Sequence, residues 1–221
     1  MSAAILESSS QVERLLRDAA AWRLLSLLCE RPRPGWQVEI EELARELGDE
    51  ELAAAVSAAR GVSEGFYLAF VGPGGPVSLR EVAHRKRSDP GHLLATLRAF
   101  YEAFAFAPAA EEPLDHLSVE AGFVGYLRLK QAYALARGER EAAEVTFAAA
   151  ETFLREHVAA MAEPVAQALE AGEAGHLSLS ARALARRAGR AAPDLEGDWV
   201  PACFQGSACE PGCGEDEPAW P

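Results

Sequence analysis

Gln11-Val12-Glu13-Arg14-Leu15-Leu16-Arg17-Asp18-Ala19-Ala20-Ala21-Trp22-Arg23-Leu24-Leu25-Ser26-Leu27-Leu28-Cys29-Glu30 decides how the rest of the chain is read. Val12, Leu15, Leu16, Ala19 and Trp22 recur at three- and four-residue spacing, and Leu24, Leu25, Leu27 and Leu28 widen the apolar stripe. That period predicts an amphipathic α-helix. Glu13 stands three residues after Ser10, the spacing of a capping box. Pro32, Pro34 and Gly35 end the helix. The same texture continues outward. Helices are expected over Val38 to Leu47, Glu50 to Ala59 and Ser63 to Val71, then from Pro90, capped by Asp89, to about Phe106. Gly72-Pro73-Gly74-Gly75-Pro76 cannot continue a helix and is read as a loop.

Beyond the linker Ala107 to Leu114, Asp115 is placed to cap the next helix, with Val119, Phe123, Tyr126 and Tyr133 on one side of it. Gly138 marks a turn before a long helical stretch, Arg140 to Leu169, in which Pro164 kinks the helix or starts a new one. Leu177 to Ala188 forms the last helix. No segment has strand alternation long enough to build a sheet, so the expected class is all-α, a single helical bundle. The division is residues 1–192 as the helical domain and 193–221 as an irregular tail. From Asp194 on, the chain has seven acidic residues, no basic one, and Cys203, Cys209 and Cys213.

The composition narrows the function. The 221 residues are 49% hydrophobic and 25% charged, ordinary values for a globular protein. The formal charge of −13 disfavours nucleic acid and anionic membrane surfaces and favours basic partners. No run of about 18 apolar residues is present, so no stable membrane insertion is expected. The N-terminus lacks a secretory signal pattern, and a cytoplasmic location is expected. Nucleophile-elbow, zinc-protease, phosphate-loop and dinucleotide motifs are missing, so the chain is read as a non-enzyme.

Two short motifs stand out. One is Tyr67-Leu68-Ala69-Phe70-Val71-Gly72-Pro73-Gly74. The other is Glu112-Pro113-Leu114-Asp115-His116, about forty residues later. On chemistry alone, the first buries two aromatics before a loop, and the second starts a helix beside a carboxylate and an imidazole. In this order the pair resembles the TorD/DmsD/NarJ family of molybdoenzyme maturation chaperones. The resemblance spans about residues 12–190 and includes Leu97-Arg98-Ala99-Phe100-Tyr101 and Leu117-Ser118-Val119-Glu120. The segment Pro76 to Val82 departs from the family pattern. The resemblance implies a TorD-like helical bundle that binds the twin-arginine signal peptide, or N-terminus, of a molybdopterin oxidoreductase catalytic subunit. It would assist cofactor insertion before export or assembly. The implied peptide-binding residues are Tyr67, Phe70, Gly72, Pro73, Glu112, Pro113, Asp115 and His116. Apolar peptide residues would meet Tyr67 and Phe70, and peptide arginines would meet Glu112 and Asp115.

The chain would act as a monomer or homodimer. It is assigned no resident cofactor, with transient molybdopterin cofactor or guanine nucleotide as an open alternative. The basic cluster His84-Arg85-Lys86-Arg87 could offer such a ligand a phosphate contact. The rival function is metal or iron–sulfur binding through Cys203, Cys209 and Cys213, whose spacing matches neither a zinc nor a ferredoxin pattern. Cys29, on an apolar helix face, is read as core packing.

Overall fold

A computed structural model describes residues 3–85, 89–108 and 112–191. Among them the chain is all-α. The helices are α1 (Ala3–Leu28), α2 (Trp36–Leu47), α3 (Glu50–Ala58), α4 (Glu64–Val71), α5 (Pro90–Ala103), α6 (Leu117–Ala136), α7 (Arg140–Phe153), α8 (Ala159–Ala171) and α9 (His176–Ala188). A short 3-10 turn covers Glu81–Ala83, and a π-helical turn, Leu154–Val158, joins α7 to α8. The one β-type pairing among the described residues is an isolated bridge between Arg80 and His116.

The centre of the bundle is α6. Val119, Phe123 and Leu127 are buried on one side, and Ala121, Val124 and Ala132 on others. Apolar residues on several faces place α6 inside the bundle, and it surfaces toward its C-terminal end at Leu129 and Tyr133. Its main partner is α1, which runs antiparallel to it. Ser26 faces Gly122, while Ala19, Trp22 and Arg23 face Gly125. A Cβ at position 125 would meet the Ala19 carbonyl oxygen at 3.1 Å and the Arg23 nitrogen at 3.3 Å. Glycine is what lets the two backbones come this close. On the far side of α6, Phe123 packs edge-to-face on Tyr101 of α5 and Phe153 of α7, with ring centroids 4.8 and 4.7 Å apart. Such pairs favour edge-to-face geometry and add to the burial of their area.

Local signals set most helix starts. Asp49 caps α3 through Glu51 N and Leu52 N, Ser63 caps α4 through Phe66 N, and Asp89 caps α5 through His92 N ahead of Pro90. Several expectations are corrected. Helix α1 begins at Ala3, so Ser10 lies inside it and no capping box forms there. Asp115 does not cap α6. His116 does, its ring accepting a hydrogen bond from Ser118 N. Tyr133 leaves the apolar face and is 62% exposed, with the Arg137 guanidinium 5.5 Å from its ring centre. Pro164 sits inside α8 and starts no helix of its own; the irregularity comes at the preceding π turn.

Candidate functional site

The two motifs meet at the end of α1. The Tyr67 hydroxyl donates to the Cys29 carbonyl at 3.2 Å, and the His116 ring Nε2 lies 3.3 Å from that hydroxyl oxygen. His116 Nδ1 faces the Ser118 hydroxyl at 2.7 Å and accepts from Ser118 N at 3.2 Å. Since Nδ1 accepts, the hydrogen is assigned to Nε2, which donates to Tyr67. Glu112 completes the ring of contacts at longer range, 4.0 Å from both Arg31 Nε and His116 Nε2. The segments around residues 29–31, 67 and 112–118 thus form one polar knot.

Burial, helped by the Arg80 charge, pushes the His116 imidazole down to about 3. The ring is neutral at neutral pH. Its unfolded counterpart titrates near 6.5. The unfolded chain therefore takes up a proton at this position, as pH falls below 6.5, that the folded chain refuses, and the stability contributed here is lost in that window. Between pH 7 and pH 5 this amounts to about 2 kcal/mol. His116→Asn keeps a capping side chain. It is expected to flatten the pH dependence by about that amount, measured by urea denaturation at the two pH values.

Asp115 is fully buried and already paired. Its Oδ1 accepts from Arg80 Nε at 2.9 Å and Nη2 at 2.8 Å, and its Oδ2 accepts from Val82 N at 3.3 Å. The arginine expected from a bound peptide is supplied by the chain itself. Backbone bonds from Glu81 N to the Asp115 carbonyl and from Leu117 N to the Leu79 carbonyl, both 2.8 Å, lace the 79–82 segment to the hinge.

Next to this lacing lies a buried charge network that the sequence reading missed. Glu81, at 0% exposure, accepts from Arg85 Nε at 2.8 Å and pairs with His157 Nδ1 at 3.0 Å. Burial alone would raise its carboxyl. The bond and charge of His157, together with Arg85, outweigh that and hold it below the usual value. Glu120, also at 0% exposure, is pushed well up, first by burial and then by the neighbouring Glu81 and Asp115 charges. Among the described residues no donor reaches its oxygens, and as a protonated carboxyl it donates to Glu81. The only hint of this in the sequence is an acidic residue in the otherwise largely apolar first half of α6.

The other members of the two motifs sit nearby in different settings. Tyr67 is 3% exposed. Phe70 is half-buried, stacked on Phe66 with centroids 4.9 Å apart, and its ring approaches Gly172. Gly72 ends α4, where a Cβ would fall 2.5 Å from the Leu68 carbonyl oxygen, so no other residue fits without a shift. Pro73 is exposed and Pro113 is exposed.

A groove opens beside the knot. It runs between α1 and α6, walled by Leu43 and by Phe106, Ala107 and Pro108 of the linker, and encloses about 400 Å³. Its lining is mostly apolar. Leu16 and Leu129, 44% and 49% exposed, mark one end. Ser26, Glu30 and Ser118 mark the other, and Ser118 is the residue bonded to the His116 ring.

The profile of the nitrate reductase delta subunit family matches residues 31–167, which takes in both motifs, the hinge and most of α6 to α8. The chain belongs to that family. It is a family of molybdoenzyme maturation chaperones, which act with molybdoenzyme catalytic subunits, and the resemblance carried by the two motifs agrees with it. No curated protein and no solved structure gives a significant match. Among the described residues, no cluster of three His, Cys, Asp or Glu side chains suits a metal ion, and no helix is long and apolar enough to cross a membrane. Cys203, Cys209 and Cys213, together with Lys86 and Arg87 of the basic cluster, lie outside the described residues.

Proposed function

We propose that this chain is a cytoplasmic chaperone that binds the N-terminal segment, or twin-arginine signal peptide, of a molybdenum oxidoreductase catalytic subunit. It holds the apoenzyme back from export or assembly until the client's molybdenum cofactor is in place. The observation that carries this reading is the apolar groove between α1 and α6 ending on the polar knot made by the two motifs. An apolar peptide face needs such a trough, and polar groups at one end set its direction.

The motif residues divide by role in this proposal. Tyr67 and His116 hold the end of α1 against the start of α6. Phe70, Gly72, Pro73 and Pro113 lie outside the groove lining and would meet the peptide beyond the knot. Glu112, whose contacts are long, offers a carboxylate to a basic peptide residue. Asp115 acts by positioning, since it keeps the 80–82 segment against the hinge. Binding needs no covalent chemistry.

The test is calorimetry with the N-terminal peptides of molybdoenzyme catalytic subunits encoded beside this gene. Saturable binding to one of them at one peptide per chain is expected. If the folded protein binds none of the linked candidates, the proposal fails.

A further inference from the structure

We propose that Glu30 is the residue through which the groove selects a basic side chain on its bound peptide, and that Arg23 occupies that carboxylate until the peptide arrives. The proposal rests on the peptide-binding reading above and adds to it the specificity-determining group.

Glu30 is only 8% exposed and lies at the end of an otherwise apolar trough. A carboxylate taken out of water needs strong partners. Its partners here are weak. Arg23 Nη1 lies 3.3 Å away and the Ser26 hydroxyl 3.4 Å away, both at the long end of hydrogen-bond range. Burial accordingly lifts the Glu30 carboxyl above the usual value, against the pull of Arg23 and Arg33. Arg23 is shared, because its Nη2 donates to Glu39 at 3.1 Å and its side chain is 41% exposed. It can leave Glu30 for solvent and Glu39 at little cost. Glu39 is also held by Arg33 at 2.7 Å, so Glu30 is the acid left to a newcomer. The occupant this chemistry fits is a peptide with a Lys or Arg at one end of an apolar run. From Leu16 to Glu30 the trough follows about 20 Å of α1, so the basic residue sits at Glu30 while the apolar residues extend toward Leu129.

The experiment compares two peptides on three proteins. One peptide is a linked client N-terminus that the wild-type chain binds. The other has its basic residues changed to glutamine. The proteins are wild type, Glu30→Gln and Arg23→Gln, each checked for an unchanged melting transition. Glu30→Gln is expected to bind the basic peptide about tenfold to a hundredfold more weakly, the worth of a charge-assisted hydrogen bond. It should bind the neutral peptide as wild type does. Arg23→Gln should bind the basic peptide more tightly, because the internal competitor is gone. If wild type binds and Glu30→Gln binds equally well, this inference fails while the proposed function stands. If wild type binds no linked peptide, the proposed function fails first. An equal loss for both peptides would make Glu30 a structural residue and overturn the inference. So would a weaker basic-peptide affinity in Arg23→Gln. A stable dimer that Leu129→Asp splits and peptide leaves intact would assign the groove to a second copy and overturn it too.

Discussion

Glu81→Ala is expected to cost about 3–5 kcal/mol of stability, the range for breaking a buried ion pair from one side. For a chain of this length that lowers the melting temperature by roughly 6–20 °C. The substitution takes the acceptor from the buried His157 Nδ1 and from the partly buried Arg85 guanidinium. It also leaves a hole under the 3-10 turn. Glu81→Gln keeps the volume and should fall between wild type and Ala. Because burial is overcome by His157 and Arg85, the folded carboxyl stays ionised to lower pH than in the unfolded chain. The stability it contributes is present above about pH 4.5 and fades as the pH falls through the folded value. Urea denaturation at pH 7 gives the magnitude, and a loss under about 1 kcal/mol would show that the network contributes little.

Glu120→Gln has the opposite sign. The folded carboxyl holds its proton far above the usual value, while the unfolded one releases it near 4.5. Above pH 4.5 the unfolded state therefore gains free energy that the folded state cannot. The wild-type chain loses about 1.4 kcal/mol of stability per pH unit across that window. An amide at position 120 cannot ionise, yet it still donates to Glu81. Glu120→Gln should melt close to wild type at pH 4.5 and several degrees higher at pH 8, with the gain widening as pH rises. Calorimetric scans at the two pH values give the difference. A variant less stable than wild type at pH 8 would mean that Glu120 is ionised in the folded chain and that its partners have been misassigned.

These two residues also show where sequence reading stops. The helices were legible because each is announced locally, by a 3.6-residue apolar period and by caps such as Asp89 before Pro90 or Ser63 before α4. The two motifs were legible because they are short and contiguous. Asp115 was expected to cap α6 because its neighbours fit that role. Arg80, 35 residues earlier, claims it instead, and nothing local announces that. Glu81 and His157 are 76 positions apart. Glu120 looks like any helical glutamate until the first turns of α6 prove to be buried on every side. Groove residues such as Leu16 and Glu30 carry no mark of their own either. Their meaning comes from which face of α1 the glycines of α6 let through.

The reach of these contacts governs when the molecule can exist at all during its own synthesis. A ribosome that has just finished α6 has made both motifs and both long walls of the groove. It has not yet made His157, the base that answers Glu81, nor α9, whose Arg187 grips Asp49 at the start of α3 with an N–O distance of 2.6 Å. The nascent chain therefore holds Glu81 by Arg85 without His157 until the last third is translated. The groove and the knot reach their final form only when nearly all of the described chain has emerged. A shortened version ending at Ala136 would retain both short motifs and still lack the contacts that complete their surroundings.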